Sequence, residues 1–450
     1  MMMTEFPISL NSPIAHATPL PKSADIVIIG GGVIGVMSAF YLAQSGARVV
    51  LCEKGRIAGE QSSRNWGWVR QQGRDPAELP IMVESNRLWQ GLGQQAGEDL
   101  GFTQTGVLYL AKTEKEMADF EAWTEHARAH QIDTRLLTAA EVQQKIPSNA
   151  AQWLGGLWTA SDGRAEPAKA VPALARMAER AGAQIVEECA VRVLDIQGGR
   201  VTGVVTEQGR ITCDQVILAG GAWSALFARN HGVNLPQLSV RATAFATEPL
   251  PEIFAGNAAD DDFAFRRRQD GGYTLAPGGW HEFMVGPDAF RHILKYRAQL
   301  QKAPFAARFL PKAPAGYPDA WGTPRRWAGD RPSPFEKIRI LNPDPSPIAI
   351  ARIQKFFARA FPEIGTPKVR KAWAGMIDTM PDVVPVIDHA AQLPGLIIAT
   401  GMSGHGFGIG PGFGRVIADL ALGRRPGHDL SRFRLSRFSD GSPITLGPSL

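Results

Sequence analysis

ADIVIIGGGVIGVMSAFYLAQSGARVVLCEK, from Ala24 to Lys54, is the stretch whose reading decides the fold. Ile26 to Ile29 is a short β-branched apolar run, the composition of a parallel strand buried on both faces. It leads into Gly30-x-Gly32-x-x-Gly35 and then a helical pattern in which Val36, Phe40 and Leu42–Ala43 keep one side apolar. Gly46 stops that helix as a C-terminal glycine does, and a second apolar strand, Arg48 to Cys52, ends on Glu53. Gly30 gives a tight turn, Gly32 lets the backbone approach a pyrophosphate, and Gly35 lets helix and strand pack closely. The helix N-terminus offers free N–H groups and partial positive charge to phosphates. Glu53 stands about 20 residues on, where an acid accepts both ribose hydroxyls. Strand, glycines, helix, strand and acid in this order read as a dinucleotide site.

A chain of 450 residues buries large cores and suggests two or three folded units. Its 44% hydrophobic and 20% charged residues are those of a globular protein. The net charge of +5 fits an anionic cofactor and a carboxylate substrate, and the lack of a Lys/Arg block argues against nucleic acid. Cys52, Cys189 and Cys213 are widely spaced, which reads as buried thiols in a reducing compartment without disulfide or metal roles. Met1 to Ser23 lacks a basic n-region and an apolar h-region, so no signal peptide is expected; its four prolines suggest a flexible arm. No apolar run reaches the roughly 18 residues of a spanning helix. The expected location is cytoplasmic, with peripheral membrane attachment left open.

Downstream, Gly59 to Arg70 combines small residues, hydroxyls, an arginine and two tryptophans. It reads either as a loop wrapping the cofactor, with Ser62, Ser63 and Arg64 near phosphates and Trp66–Trp68 near the ring, or as a polar turn. His126 and His130 share a helix face but lack a third metal ligand, so a solvated surface is expected. Ile211 to Ser224 is another buried strand running into a glycine turn, resembling a second nucleotide contact through Gly220. From Leu235 to about Arg370 alternating strands replace βα units, and Tyr317 to Pro347 is proline-rich, a lid or an interface loop. Leu396 to Ala399 then leads into Thr400-Gly401-Met402-Ser403-Gly404-His405-Gly406, a glycine-rich turn opening a helix. Its N–H groups suit a ring that gains negative charge on reduction. His405 reads as a catalytic base or as a structural, ring-contacting residue.

Three glycine junctions spread over the chain imply one α/β, Rossmann-like domain made of discontinuous pieces, with an antiparallel-sheet α+β domain inserted. The expected division is a flexible arm at 1–23 and dinucleotide-domain pieces at 24–98, 156–236 and 371–450, the last including a tail. Substrate-domain pieces fall at 99–155 and 237–370.

The segments DIVIIGGGVIGVMSAFYLAQSGARVVLCEK, SDGRAEP, VILAGGAWS, WAGMIDTMPDVVPVID, GMSGHGFGIGPGFG and FRLSRF together resemble the D-amino-acid oxidase family of FAD-dependent amino-acid and amine oxidoreductases. The resemblance spans Asp25 to Phe438. It implies FAD with its ADP on Gly30, Gly32, Gly35 and Glu53 beside Lys54. Further contacts are implied for Ser62, Ser63, Arg64, Asn65, Trp66, Val193, Gly220 and Trp223. Gly401, Ser403, Gly404, His405 and Gly406 are implied under the flavin ring. Relatives with covalent flavin carry a cysteine or histidine where Gly375–Met376 and Asn65–Trp66 stand here, so noncovalent FAD is expected. The lysine that sarcosine oxidases place after GHGF is Gly408, and the carboxylate-binding arginine after WxG is replaced by Ile377-Asp378.

The implied reaction is oxidation of a C–N bond by hydride transfer to flavin N5, giving an imine that water hydrolyses. A D-amino acid or N-alkyl amino acid is the leading expectation. A polyamine or other amine facing Asp378, and a flavin subunit of a hetero-oligomeric opine or amine dehydrogenase, are the alternatives. Oxygen or a respiratory carrier takes the electrons, and a homo- or hetero-oligomer is open. A substrate carboxylate calls for a planar arginine fork. The candidates are Arg70 and Arg266, Arg267 or Arg268, with Tyr273, Trp66, Trp68 and Trp373 as pocket walls.

Overall fold

The computed structural model describes residues 6–302 and 307–447. Its centre is a six-stranded sheet in which Ile26–Ile29 lies between Val49–Cys52 and Gln215–Leu218, parallel to both. Gln184–Val186 and Leu396–Thr400 extend it in parallel, and Val386–His389 closes one edge antiparallel. The strand period of two explains why both faces are apolar. Ile26, Ile28, Ile217 and Ile397 pack under the helices Val33–Gln44, Pro167–Arg180 and Gly406–Ala421. Val27, Val216 and Leu218 face the other way, onto Val191, Leu194, Val204 and Ile211. Those four belong to a three-stranded antiparallel sheet, Val191–Gln197, Arg200–Thr206 and Arg210–Thr212.

A second sheet of ten strands holds the inserted region together. Most of its pairings are antiparallel, but Asn257–Ala259 runs parallel to Val107–Ala111, and His281–Met284 to Ala307–Leu310. One face carries Leu108, Leu110, Phe245, Phe265, Tyr273 and Leu275 against Ile353 and Phe357 of the helix Pro347–Ala360. On the opposite face Leu238, Val240, Ala242 and Ala244, alternate residues of Leu238–Thr247, line a cavity.

Two expected boundaries fall inside strands of this sheet. Gly155–Thr159 pairs with both Val107–Ala111 and Thr134–Thr138, and Val369–Thr379 pairs along the whole of Leu238–Thr247. The chain therefore crosses to the dinucleotide sheet after Thr379, where the strand meets the glycine turn.

The stretch expected to be a flexible arm is held in place from residue 6 onward. Ile8 is buried, Ala17 bridges Val186 at the sheet edge, and Glu187 accepts the Ala15 N–H at 2.7 Å and the Ile57 N–H at 2.6 Å. Residues 1–5 of that stretch lie outside the described residues. The proline-rich segment packs onto the dinucleotide domain: Phe335 meets Trp223 and Phe227, and Arg339 pairs with Glu207 at 2.5 Å.

Candidate active site

The first glycine turn is built by close packing. Gly30 has φ +112°, and a Cβ there would stand 2.5 Å from the Ala219 carbonyl oxygen. A Cβ on Gly35 would lie 2.0 Å from the Gly30 oxygen, so no other residue lets this helix sit on its strand. The helix Val33–Gln44 has Gly32 as its N-cap without a side-chain cap, while Ser62 Oγ accepts the Val33 N–H at 2.9 Å. Glu53 ends the second strand and accepts the N–H groups of Gly31 and Gly55, both at 2.7 Å. Burial nonetheless pushes its carboxyl up to about 7.

These residues line one long cleft. Gly30, Gly32, Glu53, Lys54 and Ser62 form its first wall, and Gly220 and Trp223 the second. Lys54 is turned to Glu60 at 2.7 Å and to the carbonyls of Ile338 and Arg339. Glu60 also accepts from Trp223 Nε1 at 3.0 Å and from the Leu341 N–H at 3.1 Å, which ties the proline-rich segment to the cleft. Ala58, Gly59, Glu60 and Phe335 line the cleft too, although their sequence carries no nucleotide motif.

A second cavity of about 1080 Å³ lies under the ten-stranded sheet. Gln61, Asn65, Gly404 and Phe407 border both cavities, so cleft and cavity meet at the last glycine turn. There Gly401, Ser403 and Gly404 all have positive φ, and the helix Gly406–Ala421 begins with its N-terminus at the junction. Trp66, Trp68, Tyr109, Phe283 and Ile377 make the cavity wall mainly apolar.

Of the two roles open to Asp378, facing a substrate cation or capping a turn, the structure shows the second. Its Oδ2 accepts the Gly401 N–H at 2.8 Å and the Met402 N–H at 3.2 Å, and it borders the cleft, not the larger cavity. Burial raises its carboxyl pKa.

Arg267 and Tyr273, expected at the substrate, lie away from it altogether. They pair across adjacent strands, the guanidinium lies 4.9 Å over the Tyr273 ring, and both line neither cavity. Tyr273 belongs to the helix-covered face, and its hydroxyl accepts the Ile253 N–H at 2.8 Å. Strand alternation thus turns the pair away from the cavity. Arg266 forms a buried pair with Glu166 at 2.8 Å, and Arg268 bonds Asp270 at 3.1 Å. Trp373 donates to the Arg64 carbonyl at 2.8 Å within the core.

Three implied cofactor contacts also lie elsewhere. Val191, two residues before Val193, borders the cleft. Ser63 is fully buried outside both cavities. Arg64 borders the larger cavity, but its guanidinium serves the carbonyls of Ile8, Gly59 and Ala374 and the Asn342 side chain. Gly35 and Gly401 shape the turns without lining either cavity.

Arg70 does face the larger cavity. It donates to the Gln72 carbonyl and lies 5.7 Å from the Tyr109 ring centroid, and among the described residues no carboxylate pairs with it. Next to it are Arg74, Glu78 and His405, of which sequence reasoning singled out only the last. Among the described residues no cluster of His, Cys, Asp or Glu could hold a metal ion.

A parallel sheet with a glycine-cradled cleft, continuous with an apolar cavity under a second sheet, has the build of a dinucleotide-binding protein with room for a small molecule beside the cofactor. A family model described as FAD dependent oxidoreductase matches residues 25–420, and the chain belongs to that family. The residues present fit FAD: close-packed glycines, an acid at the second strand and a helix N-terminus at the cavity junction. Among relatives, the chain is 27% identical to sarcosine oxidase subunit beta of an Arthrobacter species, over 95% of this chain and 94% of that one. It is 28% identical to mitochondrial sarcosine dehydrogenase of Mus musculus over 60% of its length, and the match spans only 31% of that longer protein. Among solved structures, L-amino acid deaminase from Proteus myxofaciens in complex with anthranilate superposes with a TM-score of 0.90 at 29% identity, covering 95% and 97% of the two chains. The deaminase from Proteus vulgaris gives 0.88 at 28% identity, covering 95% and 100%.

Proposed function

We propose that this chain oxidises the C–N bond of an amino acid or N-methyl amino acid with an apolar side chain. The observation that carries the reading is Arg70, a guanidinium with which no carboxylate of the described residues pairs, set in a mainly apolar cavity that meets the cofactor cleft. A substrate carboxylate supplies the missing partner, because the planar fork binds it bidentately. The aromatic and aliphatic walls take the side chain and exclude water. FAD, when bound, supplies the hydride acceptor. The protein's part is to hold the α-carbon at the junction bordered by Gln61, Asn65, Gly404 and Phe407.

The flavin is read as noncovalent. Gly375 and Met376 stand in the strand Val369–Thr379 where relatives with covalent flavin carry a cysteine, so this strand offers no thiol to the ring. Cys52, Cys189 and Cys213 are all buried, and none borders the larger cavity. Likeness to two L-amino acid deaminases makes L-amino acids the first substrates to try, beside D- and N-methyl forms. The test is anaerobic reduction of the purified flavoprotein by such a panel; a panel that leaves the flavin oxidised would remove the reading.

Likeness to sarcosine oxidase beta subunits over nearly the whole chain supports a second reading, in which the protein works in a hetero-oligomer. Turnover by the purified chain alone, with oxygen or a dye as acceptor, would argue against it. No helix among the described residues is long and apolar enough to cross a membrane.

A further inference from the structure

At the edge of the larger cavity His405 backs onto a buried ion pair. Its Nδ1 lies 3.6 Å from Glu78 Oε2, too far for a hydrogen bond, and among the described residues neither Nδ1 nor Glu78 Oε1 has a hydrogen-bond partner. Glu78 is 1% exposed, an unusual place for an unsatisfied carboxylate oxygen. Arg74 holds the arrangement together: Nη1 donates to Glu78 Oε2 at 3.3 Å and Nη2 to the His405 carbonyl at 3.0 Å. Trp123 Nε1 in turn donates to the Arg74 carbonyl at 3.2 Å. No hydrogen bond within the described residues engages His405 Nε2, while the residue itself borders the cavity.

We propose that His405 is the base that deprotonates the substrate ammonium, with Glu78 as the residue that positions it. The proposal rests on the amino-acid reading above. The Glu78 carboxylate 3.6 Å away favours the tautomer with its proton on Nδ1, which leaves the lone pair of Nε2 for the cavity. The N–H bond of the bound ammonium breaks, its electron pair stays on nitrogen, and the proton bonds to Nε2. The amine becomes neutral, which is the form that can release a hydride from the adjacent carbon, and the new imidazolium faces the Glu78 carboxylate. Arg70 and Arg74 are the other charged groups around the ring. Burial holds the imidazole below its ordinary range, with both arginines adding to the effect and Glu78 opposing it, so it starts unprotonated. The contacts of Glu78 with His405 and Arg74 outweigh its burial and keep it ionised.

Anaerobic stopped-flow reduction of the flavin, followed against pH with one reducing amino acid, tests this in the wild-type holoenzyme, His405→Gln and Glu78→Gln. The wild-type rate should fall on the acid side as His405 is protonated. Glu78→Gln removes the anion that favours imidazolium, so the acid limb should move about one pH unit lower. His405→Gln should lose that limb, slow reduction about 100-fold near neutrality, and recover towards the pH at which the amine ionises by itself. A packing role alone would lower rate or FAD content equally at every pH. An acid limb unmoved in both FAD-loaded variants would overturn the assignment; if His405→Gln does not retain FAD, the limb in Glu78→Gln decides. Should no amino acid reduce the wild-type flavin, the amino-acid reading and this assignment both fall. That result is distinct from an unmoved limb in a protein that amino acids do reduce.

Discussion

Asp378 and Gly401 are joined by a 2.8 Å hydrogen bond from the glycine N–H to the buried carboxylate. Asp378 is the last residue but one of the long strand Val369–Thr379 of the ten-stranded sheet, and Gly401 opens the turn after the last parallel strand of the dinucleotide domain. The bond fixes the turn at the junction of cleft and cavity against the sheet that roofs the cavity. Asp378→Ala leaves two buried N–H groups unsatisfied and should cost about 1–3 kcal/mol, with weaker FAD retention. Asp378→Asn keeps an accepting oxygen and should lose less. Thermal unfolding and the flavin content after gel filtration check both, and an Asn variant as damaged as the Ala variant would argue that charge, not acceptance, matters.

Arg70→Ala should lower kcat/KM for amino acids by roughly 30-fold, about 2 kcal/mol, the range of a charge-assisted hydrogen bond. Arg70→Lys should recover only part, because an ammonium cannot make the bidentate contact. The loss should appear mostly in KM, with FAD content unchanged. A variant with normal KM would move carboxylate recognition elsewhere in the cavity.

Arg266 and Arg267 should behave quite differently from Arg70. Removing Arg266 leaves Glu166 buried without its partner, and Arg266→Ala should destabilise the fold by about 3–5 kcal/mol. Arg267→Ala loses the contact over Tyr273 and should cost about 1 kcal/mol. KM for an amino acid should stay at the wild-type value in Arg267→Ala. A raised KM would place Arg267 back in the site.

The contrast between these arginines shows how far the sequence could be read. The first βαβ was legible because its determinants are local: the turn, the helix and Glu53 lie within one contiguous stretch. The last glycine turn was legible for the same reason. Which side of the second sheet Arg267 and Tyr273 occupy depends on how their neighbour Asn257–Ala259 pairs with Val107–Ala111, far away in the chain, and on the distant helix Pro347–Ala360 that covers one face. Alternation in a short strand states that two faces exist, not which one meets the cavity. Glu78 and Arg74 escaped notice because their partner His405 is more than three hundred residues away. The acid and arginine in Gly73-Arg74-Asp75-Pro76-Ala77-Glu78 were the only signal. Glu60 was hidden in the same way, since its partners come from residues 54, 223 and 341.

Glu53 should give the FAD-free protein a distinctive pH dependence. Its folded value of about 7 lies above the 4.5 of a free side chain, so the folded protein keeps a proton that the unfolded chain releases. Stability from this group is therefore present below about pH 4.5 and is lost as pH rises to about 7, a loss on the order of 3 kcal/mol. Glu53→Gln should remove that loss. Denaturant unfolding of both apoproteins at pH 5 and pH 8 measures the difference; parallel pH profiles would show that Glu53 is ionised in the fold throughout.

Whether Arg70 reads a substrate carboxylate is decided by comparing amino acids with their amides and decarboxylated amines as reductants of the purified flavoprotein, without oxygen, in wild type and Arg70→Ala. Carboxylates should bleach the wild-type flavin far faster than amides or amines, and Arg70→Ala should remove most of that preference. Equal bleaching by all three classes in the wild type would contradict recognition of an amino acid through its carboxylate.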